Sequence, residues 1–120
     1  MAVTTRGERR IVTALIADVV GSTAIGEQLG PERSKLLIDE VVRLMAEQVR
    51  RYEGTVAQLV GDEMLAFFGA PVSHEDDSER AVRAALAIQR AVQSYAQEVK
   101  DAYGIELAVR IGINLSLIHI

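Results

Sequence analysis

The stretch Ile11-Val12-Thr13-Ala14-Leu15-Ile16-Ala17-Asp18, running on into Val19-Val20-Gly21-Ser22-Thr23, decides how the chain is read. Residues 11–17 are apolar on both parities, the pattern of a central strand covered on its two faces. The run then meets a carboxylate at Asp18 and a turn at Gly21, where Ser22 or Thr23 can cap a short helix reaching Leu29. Asp18 by itself is either a cap for that turn or a cation ligand. A carboxylate at the end of a buried strand is costly unless it is paired or bound to a cation.

Working outward, Gly30-Pro31 opens a second helix with Pro at a first helical position. Leu37, Val41, Leu44, Met45, Gln48 and Tyr52 recur at helical spacing until Gly54 stops it. Thr55–Val60 and Met64–Phe68 flank Gly61-Asp62-Glu63 as a tight hairpin. Ser73-His74-Glu75-Asp76 has the form of a capping box. An Ala-rich helix follows with Val82, Ala85, Ile88, Val92, Ala96 and Val99 on one face, closed by Gly104, and Leu107–Ile113 reads as a further strand. This order predicts an α+β, ferredoxin-like sandwich: a mainly antiparallel sheet with helices on one face.

The chain has 120 residues and a formal charge of −4, so a general grip on nucleic acid is not expected. With 49% hydrophobic residues it is too apolar for a disordered tail. Cysteine is absent, which excludes disulfides, thiolate catalysis and zinc–sulfur sites within these residues. The run Ile11–Val20 is too short for a membrane segment and is broken by Asp18. A cytoplasmic protein is expected. Residues 1–10 are polar and are expected to be a disordered N-terminal segment, with one domain over residues 11–114.

Asp62 carries the ambiguity of Asp18, since Gly-Asp is ordinary hairpin chemistry. Together the two carboxylates say more. If the first strand lies beside the hairpin, both converge on one edge, where oxygen donors without Cys or His suit a hard cation such as Mg²⁺. Gly21-Ser22-Thr23 adds backbone N–H groups and hydroxyls at a helix start, which favours phosphate. Metal and phosphate at one edge point to phosphoryl or nucleotidyl transfer. His74, Glu75, Asp76 and Asp77 read instead as acids of a first helical turn, complementing the helix dipole. Strand alternation turns Glu63 away from Asp62.

At these residues the chain resembles a known family. Val12-Thr-Ala-Leu-Ile-Ala-Asp-Val-Val-Gly-Ser-Thr23 looks like the first-strand motif of class III adenylate and guanylate cyclase catalytic domains, bacterial type. Val60-Gly-Asp-Glu-Met-Leu-Ala-Phe-Phe-Gly-Ala-Pro71 resembles their metal-binding hairpin. His74-Glu-Asp-Asp with Arg80-Ala-Val-Arg-Ala-Ala-Leu-Ala87 is similar to the following helix, and Val109-Arg-Ile-Gly-Ile-Asn114 to the next strand. The resemblance implies that Asp18 and Asp62 bind two Mg²⁺ or Mn²⁺ ions, that the Val19 carbonyl is a further ligand, and that Gly21, Ser22 and Thr23 hold the triphosphate. It implies attack of the ribose 3′-hydroxyl on the α-phosphate of ATP or GTP, with cyclic AMP favoured over cyclic GMP and pyrophosphate leaving. It also implies sites shared across a homodimer or pseudo-dimer.

Two departures stand out. Gln58 occupies the place where adenylate cyclases commonly carry a purine-reading Lys; Gln still donates and accepts at a base edge but brings no charge. Its other reading is a solvent-facing strand residue. After Asn114 the family's later motifs are absent, so the catalytic domain is expected to be partial and the fragment alone inactive. Leu115-Ser-Leu-Ile-His-Ile120 is what CTG TCT CTT ATA CAC ATC encodes, which reads as a sequencing-adapter tail of non-native origin. The alternative is a catalytically silent nucleotide-binding or dimerisation module derived from the same fold. A diguanylate cyclase ranks below both, because the doubled Gly and following Phe of that hairpin are missing.

Overall fold

The fold is taken from a computed structural model that describes residues 9–119. Its elements are β1 (Arg9–Val19), α1 (Ser22–Arg51), β2 (Thr55–Val60), β3 (Glu63–Phe68), α2 (Asp77–Tyr103) and β4 (Val109–His119). The four strands form one antiparallel sheet in the order β2-β3-β1-β4. The expected α+β architecture is therefore the observed one, with β1 central.

Register places the apolar side chains. Thr13, Leu15 and Ala17 stand opposite Phe68, Ala66 and Met64, so these six share one face of the sheet. That face meets Leu37, Val41, Met45 and Val49 of α1 and Ala84, Ile88 and Val92 of α2, all buried. Phe68, Leu15, Met45 and Met64 are the largest fully enclosed side chains. Each is worth about 2 kcal/mol of transfer free energy relative to exposure. The stripe on α2 is the expected one at Ala85, Ile88, Val92, Ala96 and Val99, but Val82 is exposed and Ala81 and Ala84 face the core beside it. An Ala-rich helix offers two adjacent stripes of similar apolarity, and the small one permits the closer approach to the sheet.

The helix pair read around Gly30-Pro31 is present: α1 consists of two helical segments that meet at a kink at Gly30, whose φ of 82° and ψ of 166° are non-helical. The caps depart from expectation. Gly21, in left-handed conformation, is the N-cap of α1, and neither Ser22 nor Thr23 caps it. At the start of α2 the N-cap is Asp76, whose side chain makes no capping bond; the carboxylate of Asp77 instead accepts the His74 N–H at 3.1 Å. Nor is Gly54 the residue that turns α1 off. Glu53 takes the left-handed conformation at φ 64°, its N–H bonded to Arg50 O at 3.0 Å and the Gly54 N–H to Val49 O at 2.9 Å. That is a Schellman ending with Glu in the position usually held by Gly. Gly54 is needed for space, since a Cβ there would lie 2.6 Å from the Phe68 ring.

β4 is longer than expected. It begins at Val109 and continues through Leu115–His119, which pair with Thr13–Arg9 of β1. Arg9 and Arg10, expected to fray, thus open β1, and Arg10 donates to the carbonyls of Gly69 and Pro71 at 3.2 and 2.7 Å. The rest of the expected N-terminal segment, residues 1–8, and Ile120 lie outside the described residues. Ile11, Leu115 and Leu117 remain exposed.

Candidate functional site

The residues singled out in the sequence gather at one end of the sheet, where β1 stops and the β2–β3 hairpin turns. Asp18 stands opposite Glu63 on β3 and Arg110 on β4. The next residue, Val19, donates its N–H to the backbone carbonyl of Asp62 at 3.2 Å, and Val20 donates to Ala108 O at 2.9 Å. These two bonds stitch the turn after β1 to the hairpin tip on one side and to the approach to β4 on the other. Gly21 then reverses the chain at φ 72°, a conformation costly for residues with a Cβ, and α1 begins at Ser22. Helix geometry leaves the first N–H groups of α1 without intrahelical acceptors.

A cavity of about 430 Å³ opens where these pieces meet, walled by Ser22, Thr23, Gly61 and Asp62 together with Ser34, Lys35, Ile38 and Asp39 of α1. The expected phosphate turn and one expected metal carboxylate thus share a space. No hydrogen bond or ion pair reaches the Asp62 carboxylate among the described residues. Gly21 shapes the turn and is not part of the wall.

Asp18 lines a separate cavity of about 300 Å³ with Ile16, Arg110, Ile111 and Gly112, none of which walls the first. Its carboxylate receives two bonds from Arg110, Nε at 3.2 Å and Nη2 at 3.1 Å. The bond and charge of Asp18 hold the Arg110 guanidinium above its ordinary pKa. Arg110 itself is 72% exposed, so this is a solvent-screened pair and a weak one. It was not picked out in the sequence, although alternation along Val109–Ile113 puts it on the face of Asp18.

Gln58 reaches that same face through an irregularity. Val56 stands opposite Ala66, but Gln58 stands opposite Leu65, so one extra residue of β2 is accommodated between them. The bulge moves Gln58 from the parity of Val56, which faces the helices, to the parity of Leu65 and Ile16. Gln58, Leu65, Ile16 and Gly112 then form one row across the sheet, and Val60, Glu63, Asp18 and Arg110 the row beyond it. Gln58 is exposed and lies outside both cavities.

The donor set of Asp18, Asp62 and the Val19 carbonyl is all oxygen, and it is sparse. Among the described residues no three His, Cys, Asp or Glu side chains form a metal cage. Two carboxylates with open space around them suit a hard divalent ion that keeps water or phosphate oxygens in its remaining positions. The His74–Asp77 segment sits at the other end of the sheet, where Asp77 and Arg80 satisfy each other at 2.8 Å. Of the four residues read as a first helical turn, only Asp77 lies in it; Asp76 is the N-cap, and His74 and Glu75 precede the helix.

Comparison with known proteins bears on nearly the whole chain. The family model described as adenylate and guanylate cyclase catalytic domain matches residues 5–119. Adenylate cyclase 1 of Rhizobium meliloti is 33% identical over 107 residues, covering 88% of this chain and 16% of that protein. The crystal structure of the guanylyl cyclase Cya2 superposes with a TM-score of 0.85 at 34% identity, covering 93% of this chain and 57% of that one. The adenylyl cyclase CyaB from P. aeruginosa gives a TM-score of 0.85 at 26% identity, covering 92% and 58%. The chain therefore spans less than two thirds of the relatives and structures it matches. Among the described residues no helix is long and apolar enough to cross a membrane.

Proposed function

The chain belongs to the family of adenylate and guanylate cyclase catalytic domains, and from that premise we propose that it is the metal- and triphosphate-holding part of a nucleotidyl cyclase. The observation that carries the reading is the shared cavity of Ser22, Thr23 and Asp62, with Asp18 one strand away. In this reading Asp18, Asp62 and the Val19 carbonyl hold two Mg²⁺ or Mn²⁺ ions. When bound, such ions supply charge neutralisation for the triphosphate and a more acidic 3′-hydroxyl.

The chain's own residues do the positioning. The start of α1, with Gly21 turning the backbone and Ser22 and Thr23 offering hydroxyls, orients the phosphates. The open face carrying Asp18 and Gln58 receives the nucleoside, with Gln58 as a neutral donor and acceptor at the base edge. A homodimer or pseudo-dimer partner supplies the opposite wall. The product is a 3′,5′-cyclic nucleotide, cyclic AMP ahead of cyclic GMP, for intracellular signalling. Residues 115–120 are adapter-encoded in this proposal, which reading the source DNA through the Asn114 codon tests directly.

The decisive test is Asp62→Ala in a domain extended to the length of its solved relatives. Cyclic nucleotide formation with Mg²⁺ or Mn²⁺ should fall by at least about 100-fold. Undiminished turnover would sink the metal assignment. Competition between ATP and GTP in the same assay decides the purine. A second reading, a silent nucleotide-binding module, is favoured by the uncharged Gln58; calorimetric binding of ATP without product in the unsubstituted domain would establish it.

A further inference from the structure

The cavity beside Asp62 has a wall that the family reading leaves without a task. Ser34, Lys35, Ile38 and Asp39 line it from α1, at spacings that bring successive turns of a helix onto one side. Among the described residues Lys35 is the one cationic side chain in that wall, set against the carboxylates of Asp39 and Asp62. Its ammonium donates to Asp39 Oδ2 at 2.8 Å, and both side chains are well exposed, at 75% and 56%. An exposed pair at this spacing is held weakly, by a few tenths of a kcal/mol. The ammonium is therefore free to exchange one oxyanion for another at little cost.

We propose that Lys35 is a specificity residue for polyphosphate, engaging the phosphate oxygens of a ligand seated against Ser22 and Thr23, with Asp39 as the counter-ion it leaves. The inference rests on the triphosphate reading of this cavity and adds a residue to it. The charge balance gives the reason. The wall carries two carboxylates against one ammonium, so it repels an anion unless Lys35 turns toward it. Both bonds are charge-assisted, but phosphate offers several oxyanions where Asp39 offers one carboxylate, so a chain of phosphates presents the ammonium with more charge and more acceptors. Asp39 thus sets a threshold: a monophosphate competes poorly with it, and a chain of phosphates competes well.

The probe is inorganic tripolyphosphate with Mg²⁺, titrated calorimetrically into the 120-residue chain, with inorganic monophosphate as the comparison ligand. Lys35→Met should weaken tripolyphosphate binding by about 5- to 10-fold, and Lys35→Arg should restore it to within about 2-fold. Asp39→Asn should tighten it by about 2- to 3-fold, but not when Lys35 is already Met. Both side chains are exposed, so the variants should keep the unsubstituted far-UV circular dichroism. Unchanged affinity in Lys35→Met, weaker binding in Asp39→Asn, or no tripolyphosphate binding by the unsubstituted chain each overturns the proposal. Cyclic nucleotide formation in the extended domain separates the two readings. Turnover with no Lys35 effect removes Lys35 and keeps the cyclase; a Lys35 effect without turnover does the reverse.

Discussion

The two ends of the sheet carry the same ingredients in different states. At the far end, around Gly69 and the start of α2, Arg80 is almost fully enclosed. It bonds Tyr52 O at 2.7 Å, Asp76 at 3.1 Å and Asp77 at 2.8 Å, with Glu53 at 3.4 Å. At the near end, around Asp18 and the hairpin tip, Arg110 meets a single carboxylate in the open, and the Asp62 carboxylate meets no partner among the described residues. Both ends hold an arginine, acids and a glycine turn. What differs is whether the protein has already satisfied its charges. A saturated, buried cluster holds elements together, whereas unsatisfied carboxylates beside a helix start and a cavity are available to a ligand.

Three substitutions sharpen that contrast. Arg80→Met, at the closed end, should have the largest effect on folding. It strips the half-enclosed Asp77 of its cationic partner and the Tyr52 carbonyl of its donor, for a loss of about 3 kcal/mol in urea unfolding. A loss below about 1 kcal/mol would place the two arginines in one class and dissolve the distinction. Gly54→Ala, also at the closed end, drives a methyl into the Phe68 ring and Val49. It should destabilise by about 2 kcal/mol with no change in denaturant slope. Arg110→Gln, at the open end, should change stability by less than about 0.5 kcal/mol. A larger loss would mean that the near end is also structural.

Much of this was legible in the residues. The hairpin around Gly61, the bend at Gly30-Pro31 and the close of α2 at Gly104 each follow from local chemistry, because a positive φ or a missing N–H acts on its own neighbours. The helix starts were less legible. Ser22, Thr23 and Ser73 are good capping residues, yet Gly21 and Asp76 hold the cap positions. At α1 the reason is competition: Val19 and Val20 are tied down by Asp62 and Ala108, so tertiary bonds choose where that helix begins, whereas at α2 Asp77 is held locally by Arg80 three residues on. Val82 was misassigned because periodicity in an Ala-rich helix does not separate neighbouring stripes.

By itself the sequence determined the strand that ends in Asp18, the hairpin that presents Asp62, the oxygen-only donor set and the Gly-hydroxyl turn, because each depends on residue type and short spacing. The tertiary structure alone decided which of these meet. It put Asp62 with Ser22 and Thr23 in one cavity while giving Asp18 to Arg110, drew Lys35 and Asp39 into that cavity wall, and used Glu53 rather than Gly54 to end α1. Above all it moved Gln58 onto the face of Asp18. That placement depends on one extra residue in β2, and a single-residue slip in register reverses which face every later side chain occupies.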